Sequence, residues 1–213
     1  MKINIRGTIV NDEDKPIYDY CGIAATSPSD ISNAFETLPD GEKMDIYINS
    51  GGGDMVAATE IYTSIREHKG NVTIHVSGMA ASAATIIMCA AESEISPTAM
   101  VMVHNVSSAA YGNHKDFEHQ SDVLRTADKA VCQAYTEKTG KTEEEFLQLM
   151  DSEKWFTAKE AVEIGLCDRI AGKEILENGY CDFITDTDRE NYKNAKIKAK
   201  LQLELLNLKK GRV

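Results

Sequence analysis

The amino-acid sequence predicts an α/β domain in which the strands are largely parallel. Short runs of β-branched and other apolar residues alternate along the chain with segments whose apolar residues recur at helical spacing. Because a helix occupies each return between successive strands, the strands are expected to run in the same direction. The 213 residues suit one domain, or one domain with an appendage.

The strand and helix signals of the N-terminal half follow one another at short intervals. Residues 2–10 alternate as a strand does, and "SPSDISNAFETL" (27–38) opens with helix-capping residues. "MDIYINS" (44–50) is predicted to be a short strand that the following glycines break. Asp54 is then the predicted N-cap of a helix, and "NVTIHVSG" (71–78) is the next strand.

The second half of the pattern begins with "GMAASAATIIMCAA" (78–91), which predicts a buried helix because its residues are almost all small or apolar. "MVMVH" (100–104) predicts another strand, and a long amphipathic helix is predicted from about Lys115 to Lys138. Three shorter elements follow: helices beginning at the capping boxes Thr142–Glu145 and Thr157–Glu160, and a last strand, "LCDRIAG" (166–172).

The charge and the hydropathy of the sequence limit which partners the protein is expected to bind and where in the cell it is expected to be. The net charge of −11 at pH 7 argues against general nucleic-acid binding. The sign reverses over residues 189–213, which hold eight basic and two acidic residues and predict a basic amphipathic helix over 189–210. Since there is no run of about 18 apolar residues and the N-terminus is charged and strand-like, we expect no membrane span, no secretory signal and a cytoplasmic location.

A few residues have the chemistry that acyl transfer needs: a nucleophile, a base and backbone donors. Ser82 is predicted to lie in the first turn of a helix, and His104 ends a strand just before an irregular stretch. "SGGGD" (50–54) can present backbone N–H groups with no Cβ in the way. Because a serine in such a place is more often a helix cap or packing residue and a strand-end histidine is more often structural, these residues alone indicate no more than a candidate serine hydrolase.

The usual cofactor and nucleophile signatures do not occur in this sequence. The triple glycine matches neither the dinucleotide-binding pattern nor a phosphate-binding loop, and alanines flank Ser82 where a G-x-S-x-G elbow would have glycines. The histidines and cysteines lack the spacing of metal ligands. We therefore expect neither a metal nor a cofactor.

Four motifs, in order, resemble the proteolytic subunit of the Clp protease, the ClpP family of serine peptidases. They are "YINSGGGD" (47–54), "GMAASAATIIMCAA" (78–91), "MVMVHN" (100–105) and "WFTAKEAVEIGLCDRI" (155–170). The resemblance implies a ClpP-like peptidase domain over residues 1–172, built as the spiral of ββα units that ClpP shares with crotonases, and a C-terminal helical extension over 173–213. The sequence looks most like the ClpP-like head maturation proteases of phages and prophages.

The resemblance also assigns roles by position. Ser82 becomes the nucleophile and His104 the general base that takes its proton. The oxyanion donors become the backbone N–H groups of Gly53 and Ala83, and Gly52 joins Gly53 in binding substrate. The resemblance implies neither a metal ion nor a cofactor.

The carboxylate that would orient His104 is the point at which the sequence departs from the family. Glu153 occupies the position at which the family has aspartate, and its side chain is one methylene longer. Asp151, two residues earlier, is the alternative. Of the two, Glu153 is favoured.

The resemblance implies partners as well. Family members form rings of seven subunits, often stacked in pairs, and cut proteins or peptides; for a head maturation protease the substrate would be phage capsid or scaffold protein. Whether an AAA+ ATPase takes part is left open. Two other functions also remain: an inactive ClpP-like assembly or scaffold protein, which Glu153 favours, and a crotonase-like acyl-CoA enzyme, which needs no Ser/His pair.

Overall fold

The computed structural model describes residues 1–39 and 41–172, which form an eight-stranded sheet and seven helices. The strands are β1 (Lys2–Ile9), β2 (Ala25–Thr26), β3 (Met44–Gly53), β4 (Val72–Ala81), β5 (Glu92–Ile95), β6 (Met100–Val103), β7 (Lys154–Thr157) and β8 (Arg169–Ile170). The helices are α1 (Lys15–Cys21), α2 (Pro28–Thr37), α3 (Met55–Glu67), α4 (Ala83–Met88), α5 (His114–Thr139), α6 (Glu143–Asp151) and α7 (Ala158–Glu163).

Two sequence predictions, the extension over residues 173–213 and its helix over 189–210, lie outside the described residues. Within the described part, no helix is both long and apolar enough to span a membrane.

The sheet is parallel at every pairing except one. The strand order is β2-β1-β3-β4-β5-β8, and β6 pairs with the C-terminal part of β4 and, antiparallel, with β7. Strand β4 therefore divides its outer edge between two partners: residues 73–76 pair with β5, and residues 79–81 pair with β6. The predicted α/β class with largely parallel strands is confirmed.

The core lies where alternate residues of the central strands meet the helices. Its largest fully buried aliphatic side chains are Ile5, Ile9, Ile31, Met44, Ile46, Ile48, Ile61, Ile74, Ile87 and Met88. Burial of each such side chain contributes about 1.5–3 kcal/mol relative to exposure. All six residues of α4 are buried, which is why this short helix contains only alanine, threonine, isoleucine and methionine.

The end of β3 was predicted wrongly. The strand continues through Gly51–Gly53, whose last two residues pair with Thr8 and Ile9 of β1. A Cβ on Gly53 would lie 2.1 Å from the Ile9 carbonyl oxygen, so glycine permits the two strands to approach here. The glycines thus extend the strand into the site region instead of ending it.

The boundary between β4 and α4 also differs from the prediction. Residues 78–81 belong to β4, and the helix covers only Ala83–Met88. Ala80 and Ala81 are buried and pair with β6, so their small side chains serve a crowded strand and not a helix. Ser82 consequently stands between strand and helix, and not in the first helical turn as predicted.

Helix starts were predicted well because their signals are local. The Asp54 carboxylate accepts a hydrogen bond from the Ala57 N–H at 2.9 Å, as an N-cap should. Thr142 with Glu145 and Thr157 with Glu160 form the reciprocal bonds of the two predicted capping boxes.

Candidate active site

Ser82 is the whole connection between β4 and α4, and its backbone is strained. Its φ of 56° and ψ of −127° lie in a region that non-glycine residues rarely adopt. Holding a residue there costs about 1–3 kcal/mol. A serine on a sharp strand-to-helix turn of this kind presents its hydroxyl outward, as in the nucleophile elbow of other hydrolases. The sequence signature of that elbow is absent, yet the local geometry is similar.

Backbone hydrogen bonds and one buried hydroxyl hold the strained turn in place. The Ser82 N–H donates to the Met102 carbonyl oxygen at 3.0 Å, and the Ser82 carbonyl accepts from the Thr85 N–H at 2.9 Å. The fully buried Thr85 hydroxyl lies 2.8 Å from the carbonyl oxygens of both Ala80 and Met102, which share its one proton. These bonds join β4, β6 and α4 around Ser82.

His104 lies against the Ser82 hydroxyl. It follows the last residue of β6, and its Nε2 is 2.7 Å from Ser82 Oγ. The Ser82 side chain makes no capping bond to α4, so its hydroxyl is left for this contact. When Nε2 accepts from the hydroxyl, the neutral imidazole carries its proton on Nδ1. The contact between the strand-end histidine and the turn serine has the geometry that a nucleophile and its base need for acyl transfer.

A cavity of about 500 Å³ opens beside this pair. Ser82, His104, Gly53 and Ala83 line it, and Met55, Val56, Ile86, Val131 and Tyr135 give it apolar walls. Gly52 lies directly behind, where a Cβ would meet Ser82 Cβ at 2.7 Å and the Ala83 nitrogen at 2.9 Å. The glycine segment therefore packs against the Ser82–Ala83 peptide. The C-terminal ends of strands β3, β4 and β6 all lie at this cavity.

Among the described residues, neither of the two acidic residues predicted to support His104 hydrogen-bonds to it. Within residues 1–39 and 41–172, the only hydrogen bond that the His104 side chain makes is to Ser82. Glu153 is exposed and has a positive φ of 47°. Asp151 is also exposed, and its Oδ1 accepts from Asn105 Nδ2 at 2.8 Å.

A third acidic residue near His104 was not predicted from the sequence. Asp128 of α5 is partly buried, and its Oδ1 accepts from the Val106 N–H at 2.6 Å. Burial raises the pKa of Asp128; the Val106 hydrogen bond opposes that rise, the Asp151 charge adds to it and His104 opposes it. In the sequence, Asp128 looks like any charged residue of an amphipathic helix. The one sequence signal was its spacing. Asp128 precedes Val131 by three residues and Tyr135 by seven, so all three lie on one face of the helix.

No metal centre accompanies these groups in the described residues, where no set of three or more histidine, cysteine, aspartate or glutamate side chains is placed to hold a metal ion. A serine on a strand-to-helix turn, a histidine on its hydroxyl and an adjoining cavity are features of the serine-hydrolase class of site.

Comparison with known proteins gives the family. A family model described as Clp protease matches residues 30–174, more than half of the chain. The chain therefore belongs to the Clp protease family, and the predicted family and ClpP-like fold are confirmed.

The curated relatives are Clp protease subunits. The chain is 34% identical over 128 residues to the "ATP-dependent Clp protease proteolytic subunit 1" of Streptomyces avermitilis, a match of 59% of this chain and 59% of that protein. It is 32% identical over 132 residues to "subunit 2" of Tropheryma whipplei, with 61% of this chain and 73% of that protein covered. The matched segment thus spans less than two thirds of the Streptomyces protein.

Proposed function

We propose that the protein is a serine endopeptidase of the ClpP type, which cleaves proteins or peptides through an acyl-enzyme. The observation that carries this proposal is the 2.7 Å contact between Ser82 Oγ and His104 Nε2 beside the cavity. The strain in the Ser82 backbone adds support, because strained residues concentrate at functional sites.

The geometry suits a two-step hydrolysis. His104 Nε2 takes the proton of the Ser82 hydroxyl as Oγ bonds to the substrate carbonyl carbon, and the same proton passes to the leaving amine as the C–N bond breaks. Water then attacks the ester carbon and gives a proton to His104. When the Oγ–carbon bond breaks, that proton returns to Ser82 and the second product leaves as the acid.

The oxyanion of each tetrahedral intermediate is proposed to bind the backbone N–H groups of Gly53 and Ala83. Both residues line the cavity with Ser82, and Gly52 packs against the Ser82–Ala83 peptide. Removing one such donor typically costs about 10²- to 10³-fold in rate. The extended backbone of Gly52 and Gly53 is proposed to bind the substrate chain.

The biological role that we propose is head maturation in a phage or prophage, with capsid or scaffold protein as the substrate. The resemblance of the four sequence motifs to such proteases supports this role. On the same basis we propose a cytoplasmic homo-oligomer, a ring or stacked rings of seven subunits. The relatives' names contain "ATP-dependent" and "subunit", so an ATPase partner is one of the points to test.

Covalent labelling with a fluorophosphonate tests the activity directly. Wild-type protein is expected to be labelled, whereas Ser82→Ala and His104→Ala are not. Ser32→Ala is the matched control, since that exposed serine on α2 bonds only to its own helix. The absence of labelling in wild type would overturn the proposal and favour an assembly protein. Acyl-CoA binding that survives Ser82→Ala would favour the crotonase-like alternative.

The substrate and the assembly need their own measurements. The protein is incubated with phage capsid and scaffold proteins, and mass spectrometry locates the cuts. Cleavage that persists in Ser82→Ala would contradict the role. Sedimentation measures the ring, and a stable monomer would contradict it.

A further inference from the structure

Tyr135 of α5 has a hydroxyl group without a hydrogen-bond partner in the described part of the chain. Its ring packs against Phe146, with the two ring centroids 5.2 Å apart, and only 2% of the residue is exposed. No described residue hydrogen-bonds to its oxygen. A buried tyrosine hydroxyl usually has a partner, because the loss of its contact with water is otherwise uncompensated. The hydroxyl is therefore available to a bound group.

The free hydroxyl faces the cavity beside Ser82. Among the described side chains, only His68 Nε2 and Asn105 Oδ1 are both fully buried and without a partner. Because the Tyr135 oxygen also lacks a partner but is not one of these atoms, it keeps some accessible surface. Tyr135 lines the cavity of about 500 Å³ that also holds the Ser82 hydroxyl, and this cavity supplies that surface.

The cavity is apolar and uncharged around this hydroxyl. Val56 is 63% exposed and lies at the rim, whereas Tyr135 lies at the floor, and the buried Ile86 and Val131 add apolar surface. Its lining, in the described part of the chain, contains no lysine or arginine, and Asp54 is the only carboxylate. Burial raises the pKa of Tyr135 well above its usual value, so the hydroxyl stays neutral and can donate as well as accept.

We infer that this cavity receives the side chain of the residue whose carbonyl Ser82 attacks, and that Tyr135 makes it select a neutral side chain with an apolar stem and a hydrogen-bonding end, above all glutamine. This inference rests on the proposed serine peptidase function. Glutamine has two methylenes for the apolar walls and an amide that can bond to the hydroxyl. Methionine has a similar length but only a weak acceptor, and glutamate would bring a charge into a cavity without a cation.

The test uses three peptidyl phosphonate diphenyl esters that differ only in the side chain next to phosphorus, which is that of glutamine, methionine or glutamate. Ser82 Oγ bonds to phosphorus as phenol leaves with the serine proton, and mass spectrometry measures the rate of this labelling. Wild type is expected to react about 2- to 10-fold faster with the glutamine probe than with the methionine probe, the range for one neutral hydrogen bond. The glutamate probe is expected to be the slowest.

Tyr135→Phe removes the hydroxyl and keeps the ring. The methionine probe is then expected to react at least as fast as the glutamine probe, because the amide has lost its partner. Tyr62→Phe is the matched control: its hydroxyl lies 3.4 Å from Glu137 Oε2, and Tyr62 is not one of the residues that line the cavity. This variant should keep the wild-type order of rates.

The stability of Tyr135→Phe tests the free hydroxyl without any probe. Since no bond is lost, its urea midpoint should be no lower than that of wild type. A lower midpoint would show that the hydroxyl is bonded within the protein and would overturn the inference.

The possible results separate the inference from the function beneath it. If fluorophosphonate labels Ser82 in wild type, but the ratio of the glutamine rate to the methionine rate is the same in Tyr135→Phe, the inference falls and the peptidase proposal stands. A wild type that reacts faster with the methionine probe also overturns the inference alone. If fluorophosphonate does not label wild type, both are overturned.

Discussion

The strained turn at Ser82 predicts that removing the nucleophile will change stability in a way that depends on the replacement. Ser82→Ala keeps a Cβ at φ 56° and ψ −127°, whereas Ser82→Gly has no Cβ and adopts this conformation freely. The strain released by glycine is about 1–3 kcal/mol, and the greater freedom of glycine in the unfolded chain takes back about 0.5–1 kcal/mol. Ser82→Gly should therefore be more stable than Ser82→Ala, by up to about 2.5 kcal/mol.

Urea unfolding of the two variants at one protein concentration measures this difference, with equal m-values required for the comparison. Ser77 supplies the control, because it lies within β4, where φ is negative, and its hydroxyl donates to Ile48. Both replacements at position 77 lose that bond, so Ser77→Gly should be the less stable of its pair. The same order at position 82 would refute the assignment of strain to Ser82.

Three further predictions follow from contacts around the site and the sheet. Gly52→Ala places a Cβ 2.7 Å from the Ala81 carbonyl oxygen and should slow fluorophosphonate labelling of Ser82 more than tenfold. Gly140→Ala is the control, because it also adds a Cβ at a positive φ but has no atom within 4 Å of that Cβ, and its labelling rate should match that of wild type. Thr85→Val removes the shared hydroxyl without a change of shape and should lower the free energy of unfolding by about 1–3 kcal/mol in urea; a Thr85→Ser variant as unstable as Thr85→Val would count against this. For Asp168, burial raises the pKa, but hydrogen bonds from Lys138 and Ser93 outweigh it and hold the pKa below its usual value. The ionised Asp168 carboxylate therefore adds to the free energy of unfolding above the unfolded-state pKa, and this contribution is lost as pH falls through the lower folded-state pKa. The difference in free energy of unfolding between wild type and Asp168→Asn should narrow from pH 6 to pH 3. A constant difference would contradict the prediction.

The parts of the fold that the sequence predicts are those with local signals. A capping box such as Thr157–Glu160 is complete within four residues, and the apolar period of α5 recurs from Val123 to Tyr135. Helix α1 was missed because none of its seven residues is buried, so no apolar period marks it. Strand β7 was missed because its direction and register depend on pairing with β6 across the fold.

The residues of the candidate site also fall into two groups, those that the sequence indicated and those that only the tertiary structure brings together. Resemblance brought Ser82 and His104 forward as a pair, and the structure holds them in contact. The resemblance also indicated Glu153, but the positive φ at that residue and its exposure were not readable from the sequence. Asp128 of α5 is joined to the segment after His104 by the hydrogen bond from the Val106 N–H, which is a tertiary relation that no motif encodes.

The division of β4 between two partners has a consequence for local unfolding. Residues 73–76 are held on both sides, by β3 and β5, whereas β6 links the main sheet only to β7 among the described strands. Because β6 and β7 are hydrogen-bonded to the rest of the described sheet only through β4, they can open at a lower free energy than the whole domain. Because His104 follows β6 and Ser82 follows β4, each such opening parts the base from the nucleophile. Amide hydrogen exchange in β6 and β7 would therefore report the fraction of molecules in which the two are apart while the rest of the domain stays folded.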